Sequence, residues 1–549
     1  MATHTVTNQA PPREDVDEYA LDLPLVEGVR RHGAAWAEPA LTATGRLVGS
    51  AGFQHDAELA NVHEPELVAF DRWGRRIDEV EYHPSYHRVI VAAVAAGAHT
   101  SAWADPRPGA QVARAAQFLL FAQVEPGHAC PVSMTHAVVP ALQQYAPADL
   151  RDEWIPRLLA RDYSPALVPG KTSALFGMAM TEKQGGSDVR ANRTTAAPAG
   201  DGSWILTGHK WFCSAPMSDG FLVLAQAPAG LSCFLVPRVL PDGSRNPFLI
   251  QRLKDKLGNR ANASSEVEFD GTIGWLVGEE GRGVRTIIEM VNQTRLDCML
   301  GTAAGMRQAT AEAIWHAQHR SAFGALLVAQ PAMTQVLADL AVETEAAIAA
   351  SLRVAAAYES DAPADDEPFR RLATAVLKYW ICKRGPGHAY EALECLGGNG
   401  YTEAFPLARR YREQPVMAVW EGSGNVIALD VLRAIAREPE TADALLAEVR
   451  LAAGADARLD AHVTATEQLL RAAQRDPASA EAQAGARRLT EALAVALQGS
   501  LLIRHAPAAF ADAFAASRLG DARGFLYGSA PVSAAQEIVA RHAGDAGRR

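Results

Sequence analysis

GFLVLAQAPAGLSCFLVP, Gly220 to Pro237, holds two short runs, GFLVLAQA and LSCFLVP, separated by Pro, Ala and Gly. Branched, aromatic and small apolar residues in runs of this length suit strands, and Pro and Gly punctuate them. The same texture surrounds this stretch, in SWILTG from Ser203 and SEVEFDG from Ser265, with Gly, Pro, Asp and Asn between the runs. Residues 176–280 therefore read as a small antiparallel β domain.

The flanks have a different period. Upstream, residues 21–175 repeat apolar side chains at three- and four-residue spacing, as in VARAAQFLLFAQV from Val112, and read as a helical domain. Residues 1–20, MATHTVTNQAPPREDVDEYA, are polar and acidic, without the basic and apolar segments of a signal peptide, and read as a flexible arm. Downstream of the turn-rich GEEGRGV, residues 281–437 are Ala- and Leu-rich and helical, broken by the acidic linker DAPADDEP from Asp361. Residues 438–549 read as a further appended helical domain. Several domains are the expectation for 549 residues, since a single core stops growing near half that length.

Composition narrows the function. The net charge of −11 gives no global attraction to nucleic acid or anionic membrane. The most apolar windows, Val89 to Ala96 and Ala373 to Cys382, are too short or too charged to span a bilayer, so the expectation is a cytoplasmic protein. The six cysteines form no CxxC pair and have no His at zinc-ligand spacing, so neither a metal site nor a disulfide framework is expected. No Walker or dinucleotide Gly motif follows a strand.

Five segments could carry chemistry. MTEKQGGSD, Met180 to Asp188, offers hydroxyls and backbone N–H groups beside a Gly pair, and otherwise reads as a surface turn. GHKWFCSA, Gly208 to Ala215, sets Trp211 near Cys213 and Ser214, an aromatic face for a flat heterocycle or plain core. HRSAFG, His319 to Gly324, carries Arg320, which could reach a phosphate, and Gln330 follows. CLGGNGY, Cys395 to Tyr401, allows close backbone approach, or is simply a helix C-cap. VWEGSGNVIALDVLR, Val419 to Arg433, places Glu421 ahead of a turn where Ser423 or Asn425 can cap an amphipathic helix. The helix N-terminus favours the Glu421 carboxylate by about 0.3–1 kcal/mol, whereas burial by a bound ligand favours the acid by up to several units. Burial should prevail, which makes a usable base.

In order and spacing these segments resemble the acyl-CoA dehydrogenase family across nearly the whole chain. The resemblance implies a mainly α protein with a central β domain. Its parts would be an N-terminal helical domain, a β-barrel-like domain and a C-terminal four-helix bundle, with FAD held between barrel, bundle and a neighbouring subunit of a homotetramer. It implies flavin contacts at Met178, Met180, Thr181, Gly186, Ser187, Trp211, Phe212 and Ser214. It further implies adenosine-diphosphate contacts at Arg320, Phe323 and Gln330, and a pyrophosphate turn at Gly397, Gly398 and Gly400. Trp420, Ser423 and Asn425 would lie on the flavin side of Glu421, the proton-abstracting glutamate.

MTEKQGGSD, GHKWF, LSCF, RLKDKLGNR, CKRG and WEGSGN resemble the AidB branch in particular, and the extra C-terminal segment fits it. Lys183, Cys213 and Glu394 depart from the Pro, Thr and Gln common in dehydrogenases. The resemblance leaves three readings: a dehydrogenase on an acyl-CoA; an oxidase on a small nitroalkane, amine or hydrazine with oxygen as acceptor; and a DNA-associated protective protein. Residues 434–549 carry thirteen Arg and no Lys against fourteen acids, so the expected DNA binding is weak. Arg295 and Arg433 stand as substrate contacts or as braces of the bundle.

Overall fold

The computed structural model describes residues 3–522 and 524–543. Residues 1–2 of the expected arm, and 523 and 544–549 of the expected appended domain, with three of its arginines, lie outside the described residues.

The chain runs through α1 (Leu23–Arg31), α2 (Glu38–Val48), α3 (Ala51–Val62), β1 (Glu66–Phe70), β2 (Arg76–Glu81), α4 (Pro84–Ala95), α5 (Ser101–Ala104), α6 (Ala110–Val124), α7 (Ala129–Tyr145) and α8 (Ala148–Leu159). Seven strands follow: β3 (Phe176–Ala179), β4 (Thr195–Pro198), β5 (Trp204–Ser214), β6 (Gly220–Ala227), β7 (Gly230–Pro237), β8 (Leu249–Leu253) and β9 (Ser264–Val277). Next come α9 (Gly283–His319), β10 (Ser321–Ala322), β11 (Ala325–Leu326), α10 (Pro331–Ala356), α11 (Asp366–Glu394), α12 (Pro406–Met417) and α13 (Gly424–Arg437). The last helices are α14 (Glu440–Arg450), α15 (Ala457–Arg475), α16 (Ala480–His505), α17 (Ala508–Phe514) and α18 (Ala535–His542). Among the described residues no helix is long and apolar enough to cross a membrane.

Two compact units emerge, and they do not follow chain order: residues 52–106 with 125–297, and residues 1–51 with 107–124 and 298–549. In the first, the ladder β4–β5–β9–β7–β6 returns to β4, so the strands close like a barrel. Phe221, Val223, Phe234, Val236, Phe248 and Phe269 fill its inside. The expectation of antiparallel strands needs correction, because β6 pairs in parallel with both β3 and β4. The chain between β3 and β6 crosses over through β4 and β5, as a parallel pair requires. Residues 21–175 are also not helical throughout. ELVAF and RIDEVE pair as the antiparallel hairpin β1–β2, with Asp78 and Val80 of β2 buried.

The second unit is helical. α10 packs against α11, α16 and α18, and α11 against α12, α13, α14 and α16, around Leu337, Leu340, Val342, Leu407 and Leu502. Arg518, beyond α17, donates to Asp339 and Glu343 of α10 at 2.6 and 2.8 Å. Residues 438–543 therefore belong to the same compact unit as the bundle. Residues 13–22 are bound into this unit as well: Asp15 N donates to Gly49 O at 2.7 Å and the Arg307 guanidinium to Leu21 O at 2.9 Å. Within the segment, Arg13 pairs with the buried Glu18.

Candidate active site

The barrel unit carries the first group of expected residues on β3, the loop after it and β5. Glu182, buried between Thr181 and Lys183, accepts the backbone N–H groups of Arg193 (2.6 Å) and Thr194 (3.1 Å) and the Lys210 ammonium (2.8 Å). Lys210 also donates to Leu224 O at 2.7 Å. Burial alone would push the Glu182 carboxyl up, but the Arg193 N–H and Lys210 outweigh it and bring it down to about 2. Trp211 N donates to Thr181 O at 2.8 Å, which ties β5 to the same loop.

Met178, Met180, Thr181 and Trp211 are thereby gathered at half-buried positions, with Ser187 and Phe212 exposed. A Cβ on Gly186 would lie 2.3 Å from Thr181 Oγ1, so this turn needs Gly for contact. The Lys254 ammonium stands 3.2 Å from the Trp211 ring centroid, close enough for a cation–π contact. Ser214 Oγ lies 3.3 Å from Ser264 Oγ. Cys213 points the other way, into the barrel core, where burial drives its thiol up to about 12.

In the helical unit Arg320 precedes the β10–β11 hairpin, Phe323 stands at its tip and Gln330 at the N-cap of α10. Phe323 (φ 52°) and Gly324 (φ 80°) form that left-handed tip, and Phe323 is 100% exposed. Gln330 Nε2 donates to Ala322 O at 2.7 Å. Asn8 pairs both ways with the Ser321 backbone at 2.7 and 2.8 Å, and the Arg320 guanidinium donates to Asn8 O. At the end of α11, Gly397 takes φ 60°, and Gly400 must be Gly because a Cβ there would sit 2.1 Å from Leu393 O. Nothing lies within 4 Å of a Cβ on Gly397 or Gly398, so that face of the turn is open.

Glu421 occupies the turn between α12 and α13 with φ 57°, followed by Gly422 at φ 102°. A left-handed non-Gly residue costs roughly 1–2 kcal/mol. Lys378, buried on α11, donates to Trp420 O at 2.8 Å and Gly422 O at 2.6 Å, on either side of Glu421. Charge-assisted bonds of this kind contribute about 1.5–3 kcal/mol each, enough to offset the strain. Trp420 packs against Cys298, Cys382 and Met417. Ser423 stands at the N-cap of α13, but its side chain makes no cap bond, and Asn425 Oδ1 accepts Arg487 Nε of α16 at 2.8 Å. The expected side-chain cap is thus absent; the Ser423 carbonyl accepts Ile427 N instead, at 3.0 Å.

Of the two substrate candidates, Arg295 is buried on α9. Arg433 is 57% exposed, 3.4 Å from Asp430, and lies about 13 Å along α13 from its start at 1.5 Å per residue. Sequence reasoning missed Glu182, Lys210 and Lys378. The first two stood inside quoted motifs; Lys378 had no local signal beyond being a lone Lys in an apolar helical run.

These residues fit a flat polar cofactor. Trp420 Nε1 is a buried donor with no acceptor among the described residues, the Gly397–Gly398 face is open, and Phe323 offers a bare aromatic ring.

Three family models match the chain: the adaptive response protein AidB N-terminal domain over residues 8–165, the acyl-CoA dehydrogenase middle domain over 177–272, and the acyl-CoA dehydrogenase C-terminal domain over 281–436. AidB of Escherichia coli (strain K12) is 48% identical over 472 residues, covering 85% of this chain and 87% of its own. The Caenorhabditis elegans ACDH-11 structure in complex with C11-CoA superposes with TM-score 0.84 at 27% identity, covering 99% of this chain and 94% of that one. The acyl-CoA dehydrogenase of Bacillus anthracis complexed with FAD shares the fold at TM-score 0.67 and 15% identity, covering 98% and 90%. Members of the family bind FAD. By its three matched domains and its identity to AidB, the chain belongs to the acyl-CoA dehydrogenase family, in the AidB branch.

Proposed function

We propose that this family flavoenzyme is a dehydrogenase that removes a proton from carbon with Glu421 and acts on an acyl-CoA. The observation that carries the reading is the Glu421 turn: a carboxylate-bearing residue held left-handed, with its flanking carbonyls tied to Lys378. Backbone strain of this kind is retained where surrounding contacts over-determine it, and such places cluster at functional sites. FAD, when bound, supplies the hydride acceptor.

The chain's own part is to orient and to exclude water. Glu421 takes the proton. Met178, Met180, Thr181, Gly186, Ser187, Trp211, Phe212 and Ser214 are proposed cofactor contacts on the barrel unit. Arg320, Phe323, Gln330, Gly397, Gly398, Gly400, Trp420, Ser423 and Asn425 are proposed contacts on the helical unit. Desolvation by substrate raises the basicity of the carboxylate where the proton is taken. The acyl-CoA class is supported by the C11-CoA complex of the Caenorhabditis elegans relative.

The DNA-associated reading gains nothing from the appended helices. Among the described residues Arg450, Arg458, Arg471, Arg504, Arg518 and Arg541 face carboxylates, and residues 434–549 carry no surplus of positive charge to neutralise phosphates.

Anaerobic flavin absorbance during mixing with C11-CoA tests the proposal. Bleaching in the wild-type protein and none in Glu421→Gln is expected. Bleaching only by a nitroalkane, amine or hydrazine would overturn the substrate class, and undiminished bleaching in Glu421→Gln would overturn the base.

A further inference from the structure

We propose that Lys378 is a positioning residue that sets the geometry of Glu421 by clamping the main chain on both sides of it. The inference rests on the reading of Glu421 as the base.

Three observations carry it. The first is the choice of acceptors. Lys378 Nζ lies 2.8 Å from Trp420 O and 2.6 Å from Gly422 O, so the two carbonyls that bracket Glu421 converge on one cation. The second is backbone shape. Two successive positive φ values, 57° at Glu421 and 102° at Gly422, turn the chain so that those carbonyls can converge. An L residue leaves that region readily unless something holds it there.

The third is burial. Lys378 is 1% exposed, on a helix whose neighbouring turn carries the buried Cys382. Cys382 packs with Cys298, Met417 and Trp420, the residue before Glu421. An ammonium in such a place is costly to bury and persists where its donors are satisfied. Main-chain carbonyls on either side of Glu421 accept from Lys378. A carboxylate partner would have bound Lys378 and left the turn free. The cation instead reads backbone position, so its loss should release the turn.

The role differs from that of a general brace in what it should move. A brace changes stability and little else. A clamp on the residues next to the base changes where the carboxylate stands, and a displacement near 1 Å in a reacting group costs about 100-fold in rate.

The experiment compares wild-type holoenzyme with Lys378→Met, Lys378→Gln, Lys378→Arg and Glu421→Gln. Two readouts are taken: the anaerobic rate of flavin reduction by C11-CoA, resolved into limiting rate and half-saturation, and amide hydrogen exchange of peptides spanning residues 418–427. Lys378→Met should lose about 100-fold in limiting rate with little change in half-saturation. Its 418–427 amides should exchange about ten-fold faster while the flavin content is kept. Lys378→Arg, which keeps two donors and the charge, should recover most of both.

A wild-type rate, or a lost rate with unchanged exchange in 418–427, would overturn the proposal. If Lys378→Met does not fold, the Gln and Arg variants decide: Gln at least ten-fold below Arg supports the clamp, and equality overturns it. Full activity of Glu421→Gln would sink the base, while the exchange data would still say whether Lys378 holds the turn.

Discussion

Replacing Glu182 by Gln should lower the melting temperature by about 6–20 °C at neutral pH. The substitution keeps shape and leaves the Lys210 ammonium, 0% exposed, without its counter-charge. It also turns an amide NH2 toward one of the donors now received from Arg193 N, Thr194 N and Gln184 Nε2. Breaking a buried pair from one side costs about 3–5 kcal/mol, and in a unit of this size each kcal/mol moves the transition by about 2–4 °C. The sign with pH follows from the depressed carboxyl. Its folded value of about 2 lies below the ordinary 4.5. The stabilisation is therefore complete above about 4.5 and fades as pH falls toward 2. Scanning calorimetry of wild type and Glu182→Gln from pH 7 downward should show a gap that narrows below pH 4.5. The double variant Glu182→Gln with Lys210→Met, which removes both charges and keeps an acceptor for the Arg193 and Thr194 N–H groups, should recover at least half of the loss. A drop under about 2 °C at pH 7, or a gap unchanged at pH 3, would refute the reasoning.

Two glycines separate packing from ligand approach in the CLGGNGY turn. Gly400→Ala would drive its Cβ against Leu393 O, 2.1 Å away, and should cost about 2 kcal/mol or more in chemical unfolding. Gly398→Ala meets nothing within 4 Å and should leave stability within about 0.5 kcal/mol, so a weaker FAD affinity in that variant would speak for a ligand on the open face. Phe323→Gly should stabilise the fold by about 1 kcal/mol by relieving its left-handed backbone. Flavin fluorescence titration should nonetheless show weaker FAD binding if the exposed ring is a cofactor contact; equal affinity would remove Phe323 from the proposed site.

How much was legible depended on the range of the signal. The apolar runs GFLVLAQA and LSCFLVP, punctuated by Pro and Gly, and the helical period of VARAAQFLLFAQV are local, so the β domain and the helical flanks could be read from single windows. The motif order from MTEKQGGSD to VWEGSGN was enough to expect an FAD-binding member of the acyl-CoA dehydrogenase family, because each short segment is weak and the conjunction is not. The hairpin at β1 and β2 escaped notice because it is brief and flanked by long helices.

What only the tertiary structure decided is which polar groups meet. Lys378 and Gly422, Glu182 and Lys210, Asn8 and Ser321, and Asn425 and Arg487 meet across separations from 28 to 313 residues. No periodicity links such pairs. A lysine in an apolar helix has the same one-letter context whether it snorkels to solvent or clamps a turn, and its partner is chosen by which carbonyls the packed helices bring within about 3 Å. Residue type and local pattern therefore determined the elements and the family, and long-range packing alone determined how the Glu421 turn is held.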